Sequence, residues 1–216
     1  MKEHPILFSS PMVRAILEGH KTQTRRVIKG VDGNDRFVDK WIYSKALFTD
    51  NILNLVSRKP HDFLVKCPYG LEGDRLWVRE TWAHDEPNCD DIHCGNPDHI
   101  WYHANETKIV ADSFAGKARW RPSIHMPRWA SRINLEILKI RVERLQDITK
   151  EDISAEGIKR TAGGEWLAPL AGVPDYPWDY AHEAYAALWN DLNDKRGYGW
   201  DVNPFVWIIE FERVKL

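Results

Sequence analysis

Between Arg132 and Leu145 the apolar residues alternate. Ile133, Leu135 and Ile137 share one parity, and Ile140 and Val142 the other. Period-two alternation marks a half-buried strand. The change of parity near Leu138-Lys139 requires one extra residue, which a β-bulge supplies. The run Phe205-Val206-Trp207-Ile208-Ile209-Glu210-Phe211 closes the chain as a second, strongly apolar strand. Between Arg75 and Trp82, Leu76 and Val78 fall on one side of a third strand and Trp77 on the other. His20 to Val27 reads as a turn entering a strand, 36–43 with 52–56 as a hairpin, and Trp101-Tyr102-His103 as a short strand.

Three helices punctuate these strands. Ser10 is placed as an N-cap before Pro11, Met12, Val13, Ile16 and Leu17 form one stripe, and Gly19 stops the helix. Thr149 with Asp152 resembles a capping box opening a short acidic helix that Gly157 ends. Residues 181–193 carry Ala184, Tyr185, Leu188, Trp189 and Leu192 on one face. Strands without regular βα alternation argue against a doubly wound sheet. They point to an α+β chain: a small, mostly antiparallel β-barrel with peripheral helices. At 216 residues the chain reads as a single domain spanning 1–216, enlarged by long inserted loops at about 30–66, 83–118 and 160–180.

A formal charge of −2 argues against a histone-like nucleic-acid binder, but the charge is segregated. Residues 117–132 hold five basic and no acidic side chains, and 173–194 hold five acidic and no basic ones. No apolar run approaches the ~18–20 residues of a membrane span. The N-terminus lacks the apolar core of a signal peptide. Three cysteines make an odd number in a chain that needs no staples, so a reduced, cytoplasmic protein is expected. No GxGxxG, Walker-type loop or HExxH appears, so no cofactor is expected.

Four groups of residues carry possible chemistry. Lys21 and Thr24 stand three apart across a turn, with Arg25 and Arg26 following. A desolvated lysine can serve as base to a threonine nucleophile; the same residues also read as a basic strand edge facing water. Glu80 follows an apolar strand, where an acid needs a partner or lies at a mouth. Glu156 stands at a helix C-terminus, against the helix dipole. Arg119, Trp120, Arg121, Arg128 and Trp129 interleave guanidinium groups with indoles, as phosphate pairing and base stacking require, or as a core cover with outward arginines would. Cys89, Cys94, His99 and His103 have zinc-ligand chemistry at a spacing looser than C-x2-C.

The Gly19-x-Lys21-Thr22-x-Thr24-x-Arg26 segment after a short helix resembles the signature of the ASCH domain, a branch of the PUA-like superfamily. Gly73-Asp74-Arg75-Leu76-Trp77-Val78, the segment from Leu145 to Gly157 and the terminal strand resemble further blocks of that family. The whole chain is similar to larger ASCH proteins of phages and prophages. The resemblance implies a PUA-like barrel whose cleft meets RNA, a modified nucleoside or modified DNA. One bacterial branch of the family hydrolyses N4-acetylcytidine to cytidine and acetate. Its motif implies Thr24 as nucleophile, Lys21 as base and Glu156 as proton donor or orienting group. Other branches imply non-catalytic RNA or modified-DNA binding, or ribonuclease action in the same cleft.

Overall fold

The computed structural model of the chain describes residues 1–29, 45–49, 52–56, 63–84, 100–105, 119–170 and 173–214. Its strands are β1 (Glu3–Leu7), β2 (Gln23–Val27), β3 (Lys45–Thr49), β4 (Ile52–Val56), β5 (Phe63–Lys66), β6 (Arg75–Arg79), β7 (Trp82–His84), β8 (Ile100–Tyr102), β9 (Asn134–Arg144), β10 (Lys159–Arg160), β11 (Trp166–Leu170), β12 (Val173–Trp178) and β13 (Phe205–Val214). Its α-helices are α1 (Ser10–Leu17), α2 (Lys150–Ala155) and α3 (Ala181–Asn193). Strands dominate, the pairings are mostly antiparallel, and the class is α+β.

The central sheet runs β1-β6-β9-β13-β2, and the pair β1–β6 is parallel. Its spine is the long antiparallel pair β9–β13, from Phe205 opposite Arg144 to Val214 opposite Asn134. The register slips between Glu210 and Phe211, which face Lys139 and Ile137. Leu138 is therefore the extra residue of the bulge that the parity change requires, and it is exposed. On β13, Val206, Trp207, Ile208 and Ile209 are all buried, so both faces of this strand are covered. Met12, Val13 and Ile16 of α1 and Ala184, Tyr185, Leu188 and Trp189 of α3 join the same core. Leu192, expected on the buried face of α3, is exposed at its end.

The sheet does not close into the expected barrel: β1 and β2 are its two edges and do not pair. A side chain spans the gap instead, with Arg26 Nη2 donating to the Leu7 carbonyl at 2.7 Å. Three smaller sheets hold the remaining strands: β3-β4-β5, β7-β8 and β10-β11-β12. The hairpin expected from 36–43 and 52–56 is replaced by one between β3 (Lys45–Thr49) and β4, whose other side pairs with β5; residues 36–43 lie outside the described residues. Residues 160–180, expected as an inserted loop, contribute strands β11 and β12 packed beside α3. No helix among the described residues is long and apolar enough to cross a membrane.

Helix starts and stops follow local chemistry. The helix α1 begins one residue earlier than expected, with Ser9 at the N-cap in place of Ser10, which lies inside the helix. The helix α2 opens with a complete Thr149–Asp152 capping box. It ends at Gly157, whose φ of +95° lies in the left-handed region. A Cβ at Gly157 would lie 3.1 Å from Ala15 Cβ and 3.3 Å from Lys21 Cβ. Glycine is thus required twice there, for its φ and for the close approach of α2 to α1 and the lysine.

Candidate active site at the open seam

A cleft of about 730 Å³ occupies the seam between the two sheet edges. Leu7, Phe8 and Ser9 at the end of β1 form one wall, and Lys21, Thr24, Arg25, Arg26 and Lys29 on and around β2 form the other. Glu156 enters from the end of α2, and Tyr185, Leu188 and Trp189 from α3.

Backbone bonds fix the floor. Lys21 and Glu156 form an antiparallel bridge, the Thr22 N–H donates to the Ala155 carbonyl at 2.9 Å, and the Lys21 N–H to the Ala15 carbonyl at 3.0 Å. The start of β2 is thereby fastened to the ends of α1 and α2. This places Lys21 Nζ 2.7 Å from Glu156 Oε2 and 2.7 Å from the Glu156 carbonyl oxygen. Both residues are at least 95% buried, at 3% and 5% exposure. Burial pushes the Lys21 ammonium below the ordinary lysine range, and the neighbouring Glu156 charge pulls the other way. Thr24 is buried at 4% exposure, two register positions along β13 from Phe211 (opposite Ile209).

A second layer supports the pair. Arg25 Nη1 lies 3.6 Å from Glu156 Oε1, and Arg25 Nη2 donates to Asp152 Oδ2 at 2.8 Å. Asp152 also accepts from Arg141 at 2.9 Å while closing the capping box. Desolvation raises the Asp152 carboxyl, but the hydrogen bond from Arg25 and the charges of Arg25 and Arg141 carry it below its ordinary value. Glu156 Oε1 and Arg25 Nε are buried without a hydrogen-bond partner. The Arg25 side chain has no exposed surface, so its guanidinium holds Glu156 and Asp152 from within the wall. Burial, and then the Glu156 charge, push the Tyr185 hydroxyl well above its ordinary value, so it stays a neutral phenol on the wall.

The other residues singled out in the sequence lie elsewhere. Glu80 is 1% exposed and is held by Arg132 through Nε at 2.9 Å and Nη2 at 3.0 Å. It is a buried partner of an arginine and does not line the cleft. Burial pushes its carboxyl above the ordinary range, against the pull of Arg132. Arg128 pairs with both carboxylate oxygens of Glu3 at 2.9 Å and also reaches Asn134. The Arg121 guanidinium lies over the Trp82 ring, and Trp120 packs edge-on against His103. Arg119 is exposed, and Trp129 is 39% exposed, edge-on to Trp82 and His84. Of the zinc candidates, Cys89, Cys94 and His99 lie outside the described residues, and His103 shares a hydrogen bond with Ser10. Among the described residues no cluster could hold a metal.

Phe8, Tyr185, Asp152 and Arg196 were not singled out as site residues. Phe8 and Tyr185 have the apolar character of core positions, and Asp152 the character of a cap. Only the fold brings Phe8, Tyr185 and Arg196 to this cleft and Asp152 to Arg25. No protein-family model, curated protein or solved structure matches this chain.

Proposed function

We propose that the seam cleft is a PUA-like, ASCH-type site for RNA or a modified nucleoside, and that Lys21, Thr24 and Glu156 hydrolyse an N4-acetylcytidine-type amide in it. The observation that carries the reading is the buried 2.7 Å Lys21–Glu156 pair, joined across 135 residues of sequence in one cleft wall with Thr24.

The chemistry follows from moving one proton within the pair. Transfer from Lys21 Nζ to Glu156 Oε2 leaves a neutral amine and a neutral acid. The exchange is eased because burial penalises both charges. The amine takes the Thr24 hydroxyl proton as Thr24 Oγ bonds to the acetyl carbon. Glu156 protonates the departing N4 as the amide C–N bond breaks, which restores the ion pair. Water then repeats the cycle: its oxygen bonds to the acyl carbon, the Thr24 ester breaks, and acetate leaves. Phe8, Tyr185 and Trp189 supply flat apolar walls suited to a base.

The test is incubation with N4-acetylcytidine and chromatographic detection of cytidine. Thr24→Val keeps the β-branched shape of a buried strand residue and removes the hydroxyl. It is expected to lower turnover by about 10³-fold or more. Full activity in Thr24→Val, or no turnover by the native protein, overturns the reading. The second reading is a non-catalytic module for RNA or modified DNA, or a ribonuclease in the same cleft. The exposed Trp129 and the exposed Arg119 of the same basic segment support it, and it is marked by steeply salt-dependent oligonucleotide binding or by strand cleavage.

A further inference from the structure

We infer that the rim of the cleft holds a phosphate subsite built by Arg26, Lys29 and Arg196, so that the ligand is a nucleotide or an RNA strand in preference to a free nucleoside. The inference rests on the reading that a nucleoside moiety occupies the cleft, and it adds a charge requirement to it.

The charges lining the cleft do not balance. Lys21, Arg25, Arg26, Lys29 and Arg196 face it, against a single carboxylate, Glu156. Two of the five cations are already matched, Lys21 by Glu156 and Arg25 by Asp152. Among the described residues, no carboxylate lies within ion-pair distance of Arg26, Lys29 or Arg196. Three unmatched cations around a cleft with low-dielectric walls focus a positive potential into it and favour an anion.

Two of the three are held in place. The Arg26 guanidinium lies 5.1 Å from the Phe8 ring centroid and donates to the Leu7 carbonyl. Its Nε is buried without a partner. A guanidinium already fixed by ring and carbonyl gives up little freedom when it meets phosphate. Arg196 ends a short turn after α3, which Gly197 closes at φ +81°. That turn is stapled to the helix: Trp189 Nε1 donates to the Tyr198 carbonyl at 2.7 Å, and the Trp200 N–H to Asn190 Oδ1 at 2.6 Å. The backbone carrying Arg196 is thus as fixed as the helix that lines the cleft. Arg26 shares the Phe8 ring with Lys21, whereas Lys29 and Arg196 make no contact with the catalytic pair. They suit a group next to the base and contribute nothing to amide cleavage itself.

The experiment measures affinity by calorimetry for cytidine, cytidine 5′-monophosphate and a short oligocytidine with hydroxyl ends. Cytidine monophosphate is expected to bind at least about tenfold more tightly than cytidine at low ionic strength, with the advantage shrinking as salt screens it. In the Arg196→Gln, Lys29→Gln double variant, that ratio is expected to fall toward one. Oligocytidine binding more tightly than the mononucleotide identifies the anion as a phosphodiester of RNA, and the reverse order as a nucleotide monoester; both support the subsite. Equal affinity for cytidine and its monophosphate in the native protein, binding of neither, or a ratio unmoved in the double variant overturns it. The wild-type ratio decides the matter even if the double variant fails to fold. Turnover of N4-acetylcytidine with no phosphate advantage sinks the subsite and leaves the hydrolase reading standing. A phosphate advantage without turnover does the opposite.

Discussion

Glu156→Gln isolates the electrostatic part of the site. The substitution keeps the shape of the side chain, leaves an amide oxygen to accept from Lys21 Nζ, and leaves the second bond to the residue's own carbonyl in place. What disappears is the negative charge 2.7 Å from a buried ammonium. At an effective dielectric of about 20, opposite charges at that distance attract by about 6 kcal/mol. The retained hydrogen bonds offset part of this, so the expected loss at pH 7 is about 3–5 kcal/mol, the usual result of orphaning a buried ion. The pH dependence carries a definite sign. Burial already holds Lys21 below its unfolded value, and losing Glu156 removes the force that opposes burial. The unfolded chain then binds more protons than the folded one between the lowered folded value and about 10.4, so stability rises with pH across that window. Relative to the native protein, whose Lys21 is lowered less, the variant should regain about 1.4 kcal/mol per pH unit between the two folded values, and show a flat, full deficit below them. Urea unfolding of both proteins between pH 6 and 10, with matched slopes, reads this directly. A deficit under about 1 kcal/mol, or one that ignores pH, means that Lys21 is hydrated, and the case for it as a base collapses.

Two further outcomes follow from the same geometry. Arg132→Met strands the 1%-exposed Glu80 carboxylate and should cost about 3–5 kcal/mol at pH 7, recovering as acid protonates Glu80 in the folded state first; Glu80→Gln, which leaves a partly exposed arginine, should cost clearly less in the same denaturation series. Gly157→Ala forces a left-handed φ on a residue whose Cβ meets Ala15 and Lys21, so it should cost about 1–3 kcal/mol and also lower turnover of any substrate by displacing Lys21.

Much of the fold was legible because its signals are local. The parity change at Leu138, the capping box at Thr149–Asp152 and the stripe of α3 each depend on neighbours within a few residues. Three of the strands that escaped reading, β1, β11 and β12, contain proline, and two others, β5 and β10, are only four and two residues long. Pro5 lies on β1, an edge strand, where a missing N–H costs no ladder bond on the open side. Pro169 stands where the β11–β12 register slips between Ala168 and Leu170, so the bulge absorbs the lost donor. Pro177 lies on β12, again an edge. Proline was therefore a poor sign of a loop wherever the sheet left a bond unmade. The candidate site was half legible. Lys21, Thr24 and Glu156 were singled out and meet in one cleft, but the guanidinium chemistry of the basic segment could not be weighed from counts. Arg128 looks free in sequence and is matched by Glu3, 125 residues away.

The open seam explains why a costly pair of buried charges sits where it does. An unpaired strand edge exposes backbone donors and acceptors, and a closed barrel would remove that liability. Here closure would also fill the cleft, because β1 and β2 would meet through the space that Phe8, Thr24 and Arg26 now line. The chain bridges the gap with a side chain, Arg26 to the Leu7 carbonyl, which joins the edges while holding them a guanidinium apart. Apolar residues of similar volume at 21 and 156 would serve the core equally well or better, since buried ion pairs rarely add stability. The pair therefore makes sense as the floor of an opening that the sheet keeps unclosed, where Lys21 and Glu156 line the cleft together with Thr24.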